Sequence, residues 1–295
     1  MHQDDDQMYF STHLAREKIN FIPQNHENNR YFTHQAQHNH ALSVWDGSQK
    51  LIFKVLMLSG EAMASNSKIH LQYGLGRRTR TIWQTFRYLY QRIPPDREHP
   101  LSMDDAIEAS TMLNSLYINV RGALDNFAFC LLDLFAISSN PKLKDQQVGL
   151  FNPAYLKQPG FEKIRGVVDP FSAWNKDFKN RRDPAAHRVP LAILPAIHTQ
   201  ETLLEHDRIE LQISEKMKEA ADASRALDHE TSLAKFAEIE KLREQQEKVG
   251  KFEPCFQFDP GYNPIYLYPT ISDDVGTFVV IARKLLNLVE VAVKR

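Results

Sequence analysis

The residues Leu113, Leu116, Tyr117, Val120, Leu124, Phe127, Leu131 and Leu134 keep an apolar side chain on one helical face for about six turns. A stripe of that length is stable in water only when other helices cover it, so the chain is constrained towards a helical bundle. The stripe predicts a helix from about Ser102 to Ile137. Ser102 is suited to cap its first turn, and Asp104 and Asp105 complement the positive end of the helix dipole. Asn140-Pro141 marks its end.

Other segments carry the same period. From Val44, the residues Trp45, Ile52, Val55, Leu58, Ala62 and Met63 form one apolar face. Arg77–Ile93 buries Ile82, Phe86, Leu89 and Ile93, presents Arg77, Arg80, Gln84, Arg87 and Gln91 on the opposite side, and stops at Pro94-Pro95. A polar loop is expected from there-after Asn140 to about Pro170, then a short helix from about Phe171, and extended backbone at Val189–Leu194 between Pro190 and Pro195. Glu201–Val249 is rich in charge and alanine, with a break near His229–Ser232, and predicts an antiparallel helical hairpin. Phe252–Tyr268 alternates aromatics around Asp259-Pro260-Gly261, which predicts a β-hairpin. Ser272 is placed to cap a last helix with the stripe Phe278, Ile281, Leu285, Leu288 and Ala292.

The expected fold is therefore all-α. Its organisation is a polar lead segment over 1–40 with one short helix at Tyr9–Ile22, a bundle over 41–200 and 251–295, and an inserted hairpin over 201–250. The acidic start at Asp4, Asp5 and Asp6 is unlike a secretory leader, and Arg283, Lys284 and Glu290 interrupt the final apolar run. A cytoplasmic protein that does not enter a membrane is the expectation, with Cys130 and Cys255 as buried thiols. The net charge of −1 means that any nucleic-acid contact must come from a local basic patch. His34, His38 and His40 have spacing that could hold a metal on a helix, but polar histidine tracts are more often solvated.

The chemistry concentrates in Lys179-Asn180-Arg181-Arg182-Asp183-Pro184-Ala185-Ala186-His187-Arg188. A neutral imidazole at His187 can take the proton of a ribose 2′-hydroxyl, while the Arg182 guanidinium stabilises charge developing on the phosphorus. Asp183 is placed to orient either group, and Arg181 and Arg188 add positive charge. Asp183-Pro184 is equally a helix-starting pair, and a second arginine–histidine spacing, Arg92 to His99, carries no helical context. A second constellation, Arg121 and Asp125, lies four residues apart beside the central stripe, where it forms an edge ion pair or orients a group on a neighbouring helix.

A core helix bearing Arg121-Gly122-Ala123-Leu124-Asp125-Asn126-Phe127-Ala128, followed by a helix bearing Arg182-Asp183-Pro184-Ala185-Ala186-His187, resembles the HEPN superfamily, in particular its less characterised bacterial branches. The resemblance covers roughly 44–194 and the last helix. It implies an up-and-down helical bundle that dimerises, and in many members a metal-independent endoribonuclease without a cofactor, of toxin, phage-defence or RNA-processing systems. Arg182 and His187 match the family's arginine and histidine, and Asp183 the polar residue after the arginine. Pro184 departs from the pattern and predicts a kink inside the motif, and Arg181 fits a longer version of the spacing. The alternative expectation is a non-catalytic interaction or nucleotide- or RNA-binding protein that docks a protein partner through the 201–250 hairpin.

Overall fold

The computed structural model describes residues 27–60, 65–135, 143–258 and 263–294. The expected short helix at Tyr9–Ile22, the end of the central helix around Ile137 and the turn at Asp259-Pro260-Gly261 lie outside the described residues.

Ten α-helices are described, in chain order α1 (Glu27–Ser59), α2 (Ser65–Lys68), α3 (Gly76–Arg92), α4 (Met103–Phe135), α5 (Pro153–Leu156), α6 (Glu162–Val168), α7 (Ser172–His187), α8 (Gln200–Arg225), α9 (His229–Gln246) and α10 (Leu267–Val293). A π-helical segment, Ile69–Leu75, joins α2 to α3. The fold is the expected all-α bundle with one small sheet.

The long stripe is the axis of the bundle. The Ser102 hydroxyl accepts from the Asp105 amide at 3.1 Å, and Leu113 through Leu131 of the stripe are buried. Helix α3 packs along α4, α10 packs against α1 and α4, and α7 covers another side of α4. Both thiols are buried, which pushes Cys130 up to about 12 and Cys255 up to about 11.

Several expectations are corrected here. Helix α1 begins at Glu27, well before Val44, so the described part of the polar lead is helical. Tertiary contacts replace apolar periodicity at this end: Gln37 donates to the Tyr268 carbonyl at 3.2 Å, and His38 Nδ1 lies 2.7 Å from the Tyr90 hydroxyl. The histidines do not converge. His38 faces Asp96 at 3.3 Å and His40 faces Asp273 at 3.7 Å, and among the described residues no metal-binding group of three is formed.

The expected loop before Pro170 is packed structure. Two short helices and two 3₁₀ turns (Asp145–Gln147 and Asp169–Phe171) bury Tyr155, Phe161, Ile164 and Val168 in the main core. Each piece is too short to display a helical period, which is why it reads as loop. Asp183 does not start a helical turn: α7 begins at Ser172 and continues through Pro184 to His187. Ser272 likewise lies inside α10, where Tyr266 holds the cap position and Tyr268 is extended.

The sheet adds a strand to the expected hairpin. Strand β2 (Cys255–Gln257) pairs antiparallel with β3 (Ile265–Tyr266) and also with β1 (Ala192–Ile193), from the stretch expected to be extended. Beyond the sheet, Ile197 and Lys251 exchange backbone hydrogen bonds of 2.7 and 3.0 Å and close the root of the α8–α9 hairpin. The hairpin turns at Leu227 (φ 60°), slightly before the expected break, and Asp228 caps α9 by accepting from the Thr231 amide. Ile209, Ile213 and Ile239 give it a small core separate from that of the bundle. Among the described residues, no helix is long and apolar enough to cross a membrane.

Candidate functional site

Helix α7 turns its two adjacent arginines to different tasks, because successive residues on a helix point about 100° apart. Arg181 is committed to structure. It grips Asp274 of α10 with both carboxylate oxygens, Nη2 to Oδ1 at 2.6 Å and Nε to Oδ2 at 3.0 Å. The same carboxylate accepts from the Tyr117 hydroxyl at 2.9 Å and the Trp174 indole at 3.0 Å. Four donor contacts therefore satisfy a carboxylate whose side chain is 3% exposed and tie α4, α7 and α10 together. Burial alone would lower the Arg181 pKa, but Asp274 and Tyr117 more than offset it and raise the value. Burial and the Asp274 charge likewise push the Tyr117 hydroxyl well above the usual tyrosine range. Arg181, expected to add positive charge for a substrate, has that charge matched by Asp274.

Arg182 faces elsewhere. Its Nη1 donates to Asp183 at 3.0 Å, and Lys179 approaches the other oxygen of that carboxylate at 3.8 Å. The Arg182 Nε is buried and has no hydrogen-bond partner. His187 is the last residue of α7, and its side chain lies outside the described residues. Arg188 follows, exposed, with its amide on the Pro184 carbonyl at 2.9 Å.

Arg121 of the second constellation reaches helix α7. Arg121 Nε is 3.3 Å from Asp125, and its Nη1 is 3.5 Å from Asn175 on α7. Asp125 feels three arginines: Arg121, Arg182 and Arg78. Burial nevertheless prevails over these charges and raises its carboxyl above the ordinary aspartate value.

Arg78, on α3, was not among the sequence candidates. Its Nε donates to Asn126 at 3.1 Å and its Nη1 to Asn119 at 3.2 Å. The guanidinium lies against Gly122, where a Cβ would meet Arg78 Cζ at 2.4 Å. In the π-helical segment, a Cβ on Gly74 would meet the Asn126 carboxamide at 2.5 Å. These two glycines leave room for the Arg78 guanidinium and the Asn126 carboxamide to lie against the backbone. His70 is a further neighbour, 3.4 Å from Asn126 and stacked on Phe129 at 5.0 Å. Burial lowers its pKa, against the opposing charge of Asp133. No local pattern marks Arg78 or His70, because their partners are 41 to 56 residues away.

On the outer side of α3, Arg80, Gln84, Arg87 and Gln91 line a shallow cleft of about 520 Å³ with Met112 and Ser115 of α4. Arg77 is set apart from it, over the Tyr73 ring at 5.1 Å.

The arrangement can hold an oxyanion. Arg78, Arg121 and Arg182, on three helices, supply the charge and the planar donor groups that recognise phosphate. No family model, no curated protein and no solved structure matches the chain.

Proposed function

We propose that the protein is a metal-independent endoribonuclease of HEPN type that acts as a homodimer in a toxin, phage-defence or RNA-processing setting. The observation that carries this reading is the separation of the two adjacent arginines. Arg181 is consumed by Asp274, whereas Arg182 keeps a buried Nε without a partner and shares its surroundings with Arg121 and Asp125. Arg182 binds and polarises the phosphate, Asp183 holds its guanidinium, and His187 takes the 2′-hydroxyl proton and returns it to the leaving 5′-oxygen. The products are a 2′,3′-cyclic phosphate and a 5′-hydroxyl end.

Incubating the purified protein with varied single-stranded and structured RNAs, with and without divalent metal, tests this. Cleavage is expected in chelator, and Arg182→Ala and His187→Ala are each expected to lower it by at least about 100-fold with the helical circular dichroism unchanged. Wild-type protein that leaves every RNA intact under both conditions overturns the reading.

A second reading, a protein-docking role for the hairpin, rests on its exposed apolar residues. Leu204 and Leu211 of α8, Leu227 at the turn, and Leu233 and Phe236 of α9 all face solvent. This role is compatible with a catalytic bundle.

A further inference from the structure

Arg78 holds its charge in an unusual way. Among the described residues, its hydrogen-bond partners are two neutral carboxamides and no carboxylate. It lies against Gly122 and Asn126, the residues that directly follow Arg121 and Asp125 in α4. Arg121 in turn reaches Asn175, which lies two helical turns before Arg182 along one side of α7. Arg121 pairs with Asp125 at 3.3 Å, the charges of Arg182 and Arg78 also act on that carboxylate, and among the described residues Asp183 is the other acid paired to these arginines. Lys179 adds a fourth cation at Asp183. Positive charge is in excess, and the groups that fix Arg78 by hydrogen bonds carry no charge. Arg181, by contrast, has its charge matched by Asp274.

We propose that Arg78, Arg121 and Arg182 form a phosphate-binding site for the RNA backbone, with Asn119, Asn126 and Gly122 positioning Arg78. Arg78 holds a phosphate next to the one that reacts and so sets where the strand lies. The choice of RNA as ligand rests on the ribonuclease reading. The gathering of the three arginines does not.

The test is fluorescence anisotropy with a labelled single-stranded RNA 12-mer across a salt series, in the His187→Ala background so that the probe survives. Arg78→Gln is expected to weaken binding about 10-fold, the effect of one charge-assisted contact. It should also make the slope of log K against log salt shallower by about 0.7. Arg78→Lys keeps the charge, and is expected to retain the salt slope while losing part of the affinity. Gly122→Ala, which displaces the guanidinium without removing it, should weaken binding with little change in melting temperature.

Unchanged affinity and slope in Arg78→Gln overturn the proposal. So does equal loss of binding in Arg78→Gln and Arg78→Lys accompanied by a fall in melting temperature, because Arg78 is then structural. Binding of inorganic pyrophosphate without binding of RNA overturns the assignment to a nucleic-acid backbone. The outcomes for the two readings are separable. Arginine-dependent RNA binding by a wild-type protein that cleaves nothing supports this site and removes the ribonuclease. Cleavage that Arg78→Gln leaves intact, with normal binding, does the reverse.

Discussion

Arg181 and Arg182 are chemically identical neighbours, and their surroundings make them different residues. The carboxylate of Asp274 is almost wholly removed from water, so removing Arg181 strands a buried charge with only the Tyr117 and Trp174 donors. Arg181→Leu is expected to lower the unfolding free energy by about 3–5 kcal/mol, the usual cost of breaking a buried pair. Arg182→Leu breaks a more exposed pair with Asp183 and should cost less than about 1 kcal/mol. Urea unfolding of the two variants side by side measures the contrast. Similar losses in both would remove the distinction on which the choice of Arg182 as the functional arginine depends.

Among the elements, the α8–α9 hairpin stands apart energetically from the bundle. Its seam, Ile209, Ile213 and Ile239, contributes nothing to the main core, and salt bridges from Lys216 to Glu238 at 3.2 Å and from Lys235 to Glu219 at 2.9 Å link its two helices. Exposed ion pairs of this kind add little each, so the hairpin's hold on the rest is chiefly the Ile197–Lys251 pairing at its root. Replacing residues 199–249 with a short Gly-Asn turn is expected to leave a bundle that unfolds in one cooperative transition. Its melting temperature should lie within a few degrees of the full chain's, as read by circular dichroism. Loss of cooperative unfolding would mean that the hairpin is part of the bundle's stability. Helix α7 shows a different tolerance: it continues through Pro184 to His187, although the ring removes the amide that would donate to the Asn180 carbonyl.

For the molecule as a whole, the proposed two-fold assembly needs an apolar surface, and α1 supplies one. Phe53, Leu56 and Met57 share the side of α1 turned away from the buried Leu51, Val55 and Leu58, with Phe53 66% and Met57 60% exposed. Sedimentation equilibrium is expected to give twice the 34.1 kDa chain mass, and Phe53→Asp with Met57→Asp to return a folded monomer. A monomeric wild type would count against the two-fold reading. Most of the bundle was legible from periodicity, because a helix face buried along its length repeats every 3.6 residues; the stripe from Leu113 to Leu131 is the clearest case. Periodicity had nothing to say about the polar start of α1, or about Tyr155 and Phe161, whose burial depends on distant partners. Within the site, Arg182, Asp183, Arg121 and Asp125 could be picked out because each pair lies within one turn of helix. Arg78 and Asp274 could not, since they meet partners 41 to 157 residues away. Local order along the chain was enough to specify helices, caps and the central stripe. Which of two adjacent arginines is matched by a buried carboxylate was decided by packing, because only Arg181 faces Asp274 across the bundle.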